Sequence, residues 1–390
     1  MINKPLQSLS LYLHIPFCVK KCHYCDFLSA PGSEEIKEQY VKALIQEITQ
    51  KADNYKNFYV DTIFFGGGTP SILSLHLMAA ILKALRESFR ILPEAEISIE
   101  VNPGTADEDK LMGYRQLGIN RLSIGLQSAN DVELKAIGRI HTYLEFQKVY
   151  EQARKVGFSN INVDLMSALP GQTLRSYQDT IHKILQLQPE HISAYSLIIE
   201  EGTPFWEIYG KGVEEGNALS ALVRLPEENT EREMYRLTKK LLEQAGYVRY
   251  EISNYAKPGF ECRHNTGYWQ RHNYLGLGLG SSSLIENCRW KNETALRSYL
   301  KMQDTRTEIE VLSKEEQMEE FMFLGLRLTK GVSKRTFTEL FGMQIEAVYG
   351  EILQKLTKEK LLVQSESGYV RLTERGIDIS NTVMAEFLFD

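Results

Sequence analysis

Strand and helix patterns alternate along the first two hundred residues, and this alternation restricts the possible folds more than any other feature. Leu9, Leu11, Leu13 and Ile15 alternate with polar or smaller residues, a period of two that predicts a strand. Five further strands are predicted at residues 60–65, 96–101, 121–126, 160–165 and 191–198, with helical periodicity between them. Repeated strand–helix–strand units predict a parallel sheet, either doubly wound or closed as a TIM-like barrel.

Polar residues and glycines at the ends of the predicted strands favour the barrel. The residues at or just past the carboxyl ends are Cys18, Gly67, Glu100, Gln127 and Asp164. In a barrel such ends converge on one mouth, where active sites form. We therefore predict an α/β fold with a partial TIM-like (β/α)6 barrel and one site at its mouth.

The whole chain is predicted to contain three parts: a barrel at residues 1–228, a barrel-completing segment at 229–288 and a mainly helical domain at 289–390. Residues 200–228 are rich in glycine, proline and aromatics, which indicates a long loop or a lid over the mouth. In the last domain, Ser313 and Glu316 form a capping-box pattern. A predicted hairpin at residues 361–372 follows two further helices, an order that resembles a winged helix.

The charge of the chain argues against nucleic-acid binding. The net charge is −6 and the sequence pI about 5.9. A winged-helix tail would otherwise suggest DNA binding. Residues 300–390, however, carry 12 basic and 16 acidic side chains, and this net negative charge disfavours contact with phosphates. No apolar run is long enough to span a membrane, and no signal-peptide pattern occurs. We therefore expect a cytoplasmic protein with reduced thiols, whose membrane contact, if any, is made through a partner.

Three of the five cysteines form a compact C-x3-C-x2-C cluster at Cys18, Cys22 and Cys25, just after the first strand. Three thiolates so close in sequence can converge on one soft metal centre. A structural zinc site normally needs four ligands, and no fourth is nearby. Three thiolates would leave one iron of a cubane cluster open to a substrate or cofactor.

This motif resembles the signature of the radical S-adenosylmethionine (SAM) superfamily. The resemblance implies a [4Fe–4S] cluster on Cys18, Cys22 and Cys25, with SAM chelating the fourth iron. One-electron transfer from the cluster then cleaves SAM to a 5′-deoxyadenosyl radical. The segment Gly66-Gly-Gly-Thr-Pro70 resembles the family's glycine-rich segment, which implies that Gly67, Gly68 and Thr69 bind the methionyl amino group.

Within the superfamily, the chain resembles the oxygen-independent coproporphyrinogen III oxidases and the related heme chaperones along nearly its whole length. The segments that carry this resemblance are Leu11–Cys18, Phe65–Pro70, Ile99–Pro103, Arg121–Ser128, Gly138–Arg139 and Asp164–Gln172. By this resemblance Tyr12 lies against the cluster and SAM, while Tyr24 and Ile198 contact the adenine. Hydrogen bonds to the ribose and methionyl groups of SAM are implied for Glu100, Gln127, Arg139 and Asp164.

Two differences separate the chain from the oxidases. The oxidases have a fourth cysteine two residues after the third, where this chain has Phe27, and they have a longer segment before the cluster than the 17 residues found here. The motif His264-Asn-x-x-Tyr268-Trp269 instead matches the heme chaperones. It implies His264 as a heme ligand with Tyr268 and Trp269 stacked on the porphyrin, since histidine commonly ligates heme iron. A loop histidine beside core aromatics is the alternative.

The sequence therefore predicts a protein that binds a [4Fe–4S] cluster, SAM and heme, and that delivers heme to acceptor proteins. The alternative is an oxidase that decarboxylates coproporphyrinogen III to protoporphyrinogen IX with SAM. Both use the same radical machinery, so its residues do not discriminate between them, and no catalytic residue is assigned. A homodimer is among the expected assemblies.

Overall fold

The computed structural model describes residues 6–210, 224–302 and 306–389. Their strands form one large and one small sheet. The strands are β1 (Gln7–Ile15), β2 (Phe58–Gly67), β3 (Ile91–Val101), β4 (Arg121–Gln127), β5 (Ile161–Ser167), β6 (His191–Ser196), β7 (Val248–Arg249), β8 (Asn254–Ala256), β9 (Tyr274–Leu277), β10 (Ser282–Ile285), β11 (Cys288–Asn292), β12 (Arg306–Val311), β13 (Val332–Ser333), β14 (Leu362–Gln364) and β15 (Tyr369–Leu372).

The large sheet has twelve strands in the order β12-β11-β10-β9-β1-β2-β3-β4-β5-β6-β8-β7. Its centre, from β9 through β6, is entirely parallel, and the strands outside this centre pair antiparallel. Among the described residues β12 and β7 do not pair with each other, so the barrel is partial, as the sequence predicts. The predicted six strand–helix units are confirmed.

The helices cover the sheet and build the C-terminal region. They are α1 (Glu34–Ala52), α2 (Leu75–Ser88), α3 (Glu108–Gln116), α4 (Asp131–Ala136), α5 (Tyr143–Lys155), α6 (Leu174–Leu187), α7 (Pro204–Tyr209), α8 (Glu228–Gln244), α9 (Arg263–Trp269), α10 (Leu296–Leu300), α11 (Lys314–Gly325), α12 (Lys334–Phe341), α13 (Ile345–Lys358), α14 (Glu374–Asp378) and α15 (Ser380–Ala385). The Ser313–Glu316 capping box is present at the start of α11.

The strand pattern positions the site because alternate side chains take opposite faces of the sheet. In β4, Leu122, Ile124 and Leu126 are fully buried in the main hydrophobic core. The residues that alternate with them, Ser123, Gly125 and Gln127, face the barrel interior and line its cavity. Apolar packing on one face therefore fixes which polar residues enter the mouth.

A second hydrophobic core extends from Met318 to Phe387, around α11–α15 and the sheet β13-β15-β14. The predicted hairpin is present as β14 and β15. The large sheet continues past the predicted division at residue 289, because β11 and β12 hydrogen-bond to it as far as Val311. Part of the predicted lid is α7, while residues 211–223 lie outside the described residues. No helix in the described ranges is long and apolar enough to span a membrane.

Candidate functional site

The three clustered cysteines occupy the loop that follows β1. A hydrogen bond of 3.1 Å from the Cys18 amide to the carbonyl of Ala30 closes this loop at its base, and the Thr69 amide donates to the Phe17 carbonyl at 2.8 Å. All three thiols are free of disulfides and line one cavity of about 340 Å³. Burial raises the pKa of Cys25, and the nearby thiols of Cys22 and Cys18 raise it further.

The glycine-rich segment approaches the cysteine loop too closely for side chains. A Cβ atom on Gly68 would lie 2.7 Å from the Phe17 carbonyl oxygen and 3.0 Å from Cys18 Sγ. Gly67 has a φ of +112°, a conformation that favours glycine. Thr69 Oγ1 donates to Cys18 Sγ at 3.6 Å and accepts from Asn102 Nδ2 at 2.8 Å. Two of the three predicted residues, Gly68 and Thr69, therefore pack directly on the first cysteine, whereas Gly67 lies against the His14 ring.

Two carboxyl groups from neighbouring parts of the sheet line the same cavity. Burial, together with the charge of Asp164, raises the pKa of Glu100 to about 8. Burial also raises the pKa of Asp164, while a 2.8 Å hydrogen bond from Asn162 Nδ2 acts in the opposite direction. At neutral pH Glu100 is therefore largely protonated in this cavity. A cationic ligand beside these groups would favour their ionised forms.

Gln127 and Arg139 each have a buried polar atom that finds no partner among the described residues. Gln127 has a φ of +70°, which is unusual for a residue other than glycine, and its Oε1 accepts no hydrogen bond. Arg139 Nη2 donates to Asn102 Oδ1 at 2.9 Å and to the Gly125 carbonyl at 2.5 Å, and Nη1 lies 3.8 Å from Cys22 Sγ. Its Nε has no partner. Such atoms are costly unless a ligand satisfies them.

These residues fit the cofactors that the sequence implies. Three free thiols, a glycine-rich segment packed on one of them, two carboxyl groups and two unsatisfied polar atoms surround a single cavity. Thiolates are the usual ligands of iron–sulfur clusters. The carboxyl groups and free polar atoms suit a ligand that carries an ammonium, a sulfonium and hydroxyls, as SAM does.

Three further residues, Tyr12, Tyr24 and Ile198, are implied to contact the cluster or SAM. Tyr24 lines the mouth cavity, whereas Tyr12 lines a neighbouring cavity instead. Ile198 is 67% exposed and lies outside the lining of both cavities. Its predicted adenine contact therefore stays a prediction.

The chaperone-type motif is packed inside the protein. His264 is 1% exposed; its Nδ1 lies 2.8 Å from Thr62 Oγ1 and its Nε2 lies 3.0 Å from the Tyr268 hydroxyl. Burial lowers its pKa to about 3, so the ring is neutral. The guanidinium of Arg327 lies 4.3 Å from the centre of the Trp269 ring. Heme ligation by His264 stays a prediction, and it would require displacement of one of these two hydroxyls.

Several polar residues that line the mouth were not among those predicted, including Asn102, Arg121, Asn162 and Tyr195. Asn162 lies two residues before the predicted Asp164 on β5, so the period of two could have identified it. Asn102, immediately after β3, bridges Thr69 and Arg139 and could have been found only through its contacts.

Comparison with known proteins agrees with this site. Residues 12–184 match the Radical SAM superfamily, and residues 312–379 match the HemN C-terminal domain. The heme chaperone HemW of Lactococcus lactis is 37% identical over 100% of this chain and 99% of its own length. HemW of Bacillus subtilis is 38% identical over 97% and 99%, and that of Escherichia coli 32% identical over 98% and 99%.

Among solved structures, coproporphyrinogen III oxidase (HemN) from Escherichia coli matches with a TM-score of 0.84 and 25% identity, covering 99% of this chain and 91% of HemN. The HemW relatives combine higher identity with full-length coverage of both chains. This protein therefore belongs to the HemW family of the radical SAM superfamily.

Proposed function

We propose that this protein is a heme chaperone that holds a [4Fe–4S] cluster and SAM at the barrel mouth, binds heme and delivers it to acceptor proteins. The observation that carries the proposal is full-length similarity, at 32–38% identity, to proteins named heme chaperone HemW. The cluster and SAM follow from membership of the radical SAM superfamily and from the fit of the mouth cavity to both.

Cys18, Cys22 and Cys25 would hold the cluster, which when bound supplies one electron and an open iron position. Thr69 and Arg139 each point a polar hydrogen at a cysteine Sγ, Thr69 at Cys18 and Arg139 at Cys22. The chain itself therefore offers a hydrogen-bond donor to two of the three ligands.

The residues proposed to hold SAM act by position and by charge. Gly67 and Gly68 line the mouth cavity and present only backbone to the methionyl group. Gln127 Oε1 and Arg139 Nε offer one acceptor and one donor that no group in the described ranges uses. Glu100 and Asp164 supply carboxylates for the cationic groups and the ribose, and Asn162 fixes the orientation of Asp164.

An oxygen-independent coproporphyrinogen III oxidase is the second candidate, because HemN shares the fold over 99% of this chain. Phe27 argues against it: this side chain is 60% exposed beside the cluster cavity, at the position where the oxidases have a cysteine. A phenyl ring supplies neither a thiol nor a proton donor there. The chaperone assignment therefore accounts for this position and the oxidase assignment does not.

The remaining parts of the proposal concern partners and organisation. The acceptors are heme proteins, nucleic acid is not a ligand, and the negative charge of residues 300–390 supports this exclusion. We propose a cytoplasmic location, membrane contact only through a partner, and a dimer as one assembly state. The barrel, its completing segment and the C-terminal region are proposed to act as three units, with one division near residue 228 and the other after Val311, where the large sheet ends, rather than at the predicted residue 288.

The cluster is tested by anaerobic reconstitution of wild type, Cys22→Ala and the matched control Cys288→Ala, a half-buried cysteine outside the site. We expect about four irons per chain and absorption near 400 nm in wild type and control, and loss of both in Cys22→Ala. Full iron content in Cys22→Ala would disprove the ligand assignment.

The function is tested by titrating the reconstituted protein with hemin and then mixing the complex with an apo heme protein. Stoichiometric binding followed by transfer of the heme spectrum to the acceptor supports the chaperone. Consumption of coproporphyrinogen III with SAM and a reductant, without heme binding, would instead support the oxidase.

A further inference from the structure

A second cavity, of about 490 Å³, lies beside the SAM cavity between the loop after the cysteines and strands β1, β9 and β11. Phe27 lines both cavities and forms a common wall between them. The lining of the second cavity includes none of the three cysteines and, of the residues implied for SAM, only Tyr12. It is therefore a cavity separate from the one assigned to the cluster and SAM.

Aromatic rings form one part of the walls of this cavity, beside the small polar residues Ser281, Ser282 and Thr294. Tyr12, Tyr268 and Tyr274 line it, and the rings of Tyr268 and Tyr274 meet edge to face with centroids 4.7 Å apart. Two apolar side chains are left in solvent at its edge, Phe27 at 60% and Leu28 at 39% exposure. Exposed apolar side chains beside an aromatic cavity are typical of a site for a flat apolar ligand.

One cation also lines the cavity. Lys291, on β11, has no ion pair or hydrogen bond from its Nζ within the described ranges. Asp26 is the carboxylate in the cavity lining and lies in the opposite loop, without an ion pair to Lys291. The ammonium of Lys291 is therefore available for a carboxylate on the ligand, whereas the neighbouring Arg289 is already paired with Glu320.

We propose that this cavity is the heme site, with the macrocycle between the tyrosines and the Phe27–Leu28 edge and a propionate on Lys291. The inference rests on the proposed function for the identity of the ligand. Tyr268 lines the cavity, whereas His264 lies behind it, bonded to the Tyr268 hydroxyl. The chaperone-type motif thus presents its tyrosine to the ligand and uses its histidine to orient that tyrosine.

The test is a hemin titration of the reconstituted full-length protein, in which heme binding is monitored by its absorption spectrum. We expect Lys291→Glu to weaken hemin binding about tenfold or more, because a charge-assisted hydrogen bond is lost and a like charge is introduced. Lys240→Glu, on an exposed lysine of α8, is the matched control and should leave affinity unchanged. Hemin dimethyl ester, which has no free propionate, should bind wild type and Lys291→Glu equally.

Leu28→Glu provides a second variant, at a side chain that is 39% exposed. We expect weaker hemin binding with unchanged iron content and SAM affinity, since Leu28 does not line the SAM cavity. Wild-type hemin affinity in both Lys291→Glu and Leu28→Glu would overturn the placement and leave the chaperone function standing. A wild type that binds no hemin would overturn the proposed function and this placement together.

Discussion

Replacing Glu100 by Gln should remove a pH dependence from SAM binding. Burial and the charge of Asp164 raise the pKa of Glu100 to about 8 in the unliganded protein, from an ordinary value near 4.5. At pH 7 about a tenth of the molecules therefore carry the carboxylate that a sulfonium or ammonium group needs. In the remaining molecules, binding of SAM must release the proton from Glu100. Between about pH 5 and 8, affinity should rise up to tenfold per pH unit and then level off.

The assay is isothermal titration calorimetry of SAM into reconstituted wild type and Glu100→Gln, in buffers of different ionisation enthalpy. At pH 7 the wild type should release close to one proton more than the variant. Other titrating groups, including the α-amino group of SAM, are present in both proteins, so the difference isolates Glu100. Equal proton release, or equal slopes of log affinity against pH, would refute the reasoning.

As pH rises, the free energy of unfolding of the unliganded wild type should fall, whereas its affinity for SAM rises. The folded state holds the Glu100 proton between about pH 4.5 and 8, whereas the unfolded state does not, so wild-type stability falls as pH rises through this range. The loss relative to Glu100→Gln is on the order of a few kcal/mol by pH 8. Urea denaturation without SAM measures it. A wild type that gains stability with pH relative to the variant would contradict the burial of this carboxyl group.

Three further predictions address the rest of the site. Gly68→Ala should lower iron content and SAM binding, because its methyl group meets the Phe17 carbonyl. The control Gly350→Ala, whose methyl group meets no atom of the described residues, should leave both unchanged, as measured by iron assay and calorimetry. Gln127→Ala should weaken SAM binding with full iron content; unchanged affinity by calorimetry would remove it from the site. His264→Ala should cost about 2–4 kcal/mol in urea denaturation, since two buried hydrogen-bond partners and ring packing are lost. Loss of heme binding at full stability would instead identify His264 as a ligand.

Sequence periodicity predicted the parts of the fold that depend on local burial. The six parallel strands and their helices followed from apolar alternation, and polar residues at strand ends identified part of the mouth cavity. Glu100, Gln127 and Asp164 meet there because parallel strands end at one edge of a sheet. Contacts between distant segments could not be read in this way. The pairing of β9 with β1 and the bridging role of Asn102 depend on tertiary structure.

The motif at residues 264–269 shows a different limit. A sequence pattern indicates which residue types are present but not which of them faces a ligand. His264 lies on a short helix whose inward side packs on β2, so Thr62 and Phe64 enclose it. The helix turn that buries the histidine leaves Tyr268 at the second cavity. Only the register of α9 against the sheet decides between these two side chains.

The pairing of β1 with β9 also has a consequence during synthesis. Leu13 pairs with Leu277, about 260 residues later, so one edge of the strand that leads into the cysteines is uncovered until most of the chain has been made. At ordinary elongation rates this lasts roughly 13–50 s. The cysteine loop and the glycine segment, by contrast, are both complete once about 70 residues have emerged. All three thiols and the glycine segment are thus present in the nascent chain well before β9 can cover the free edge of β1.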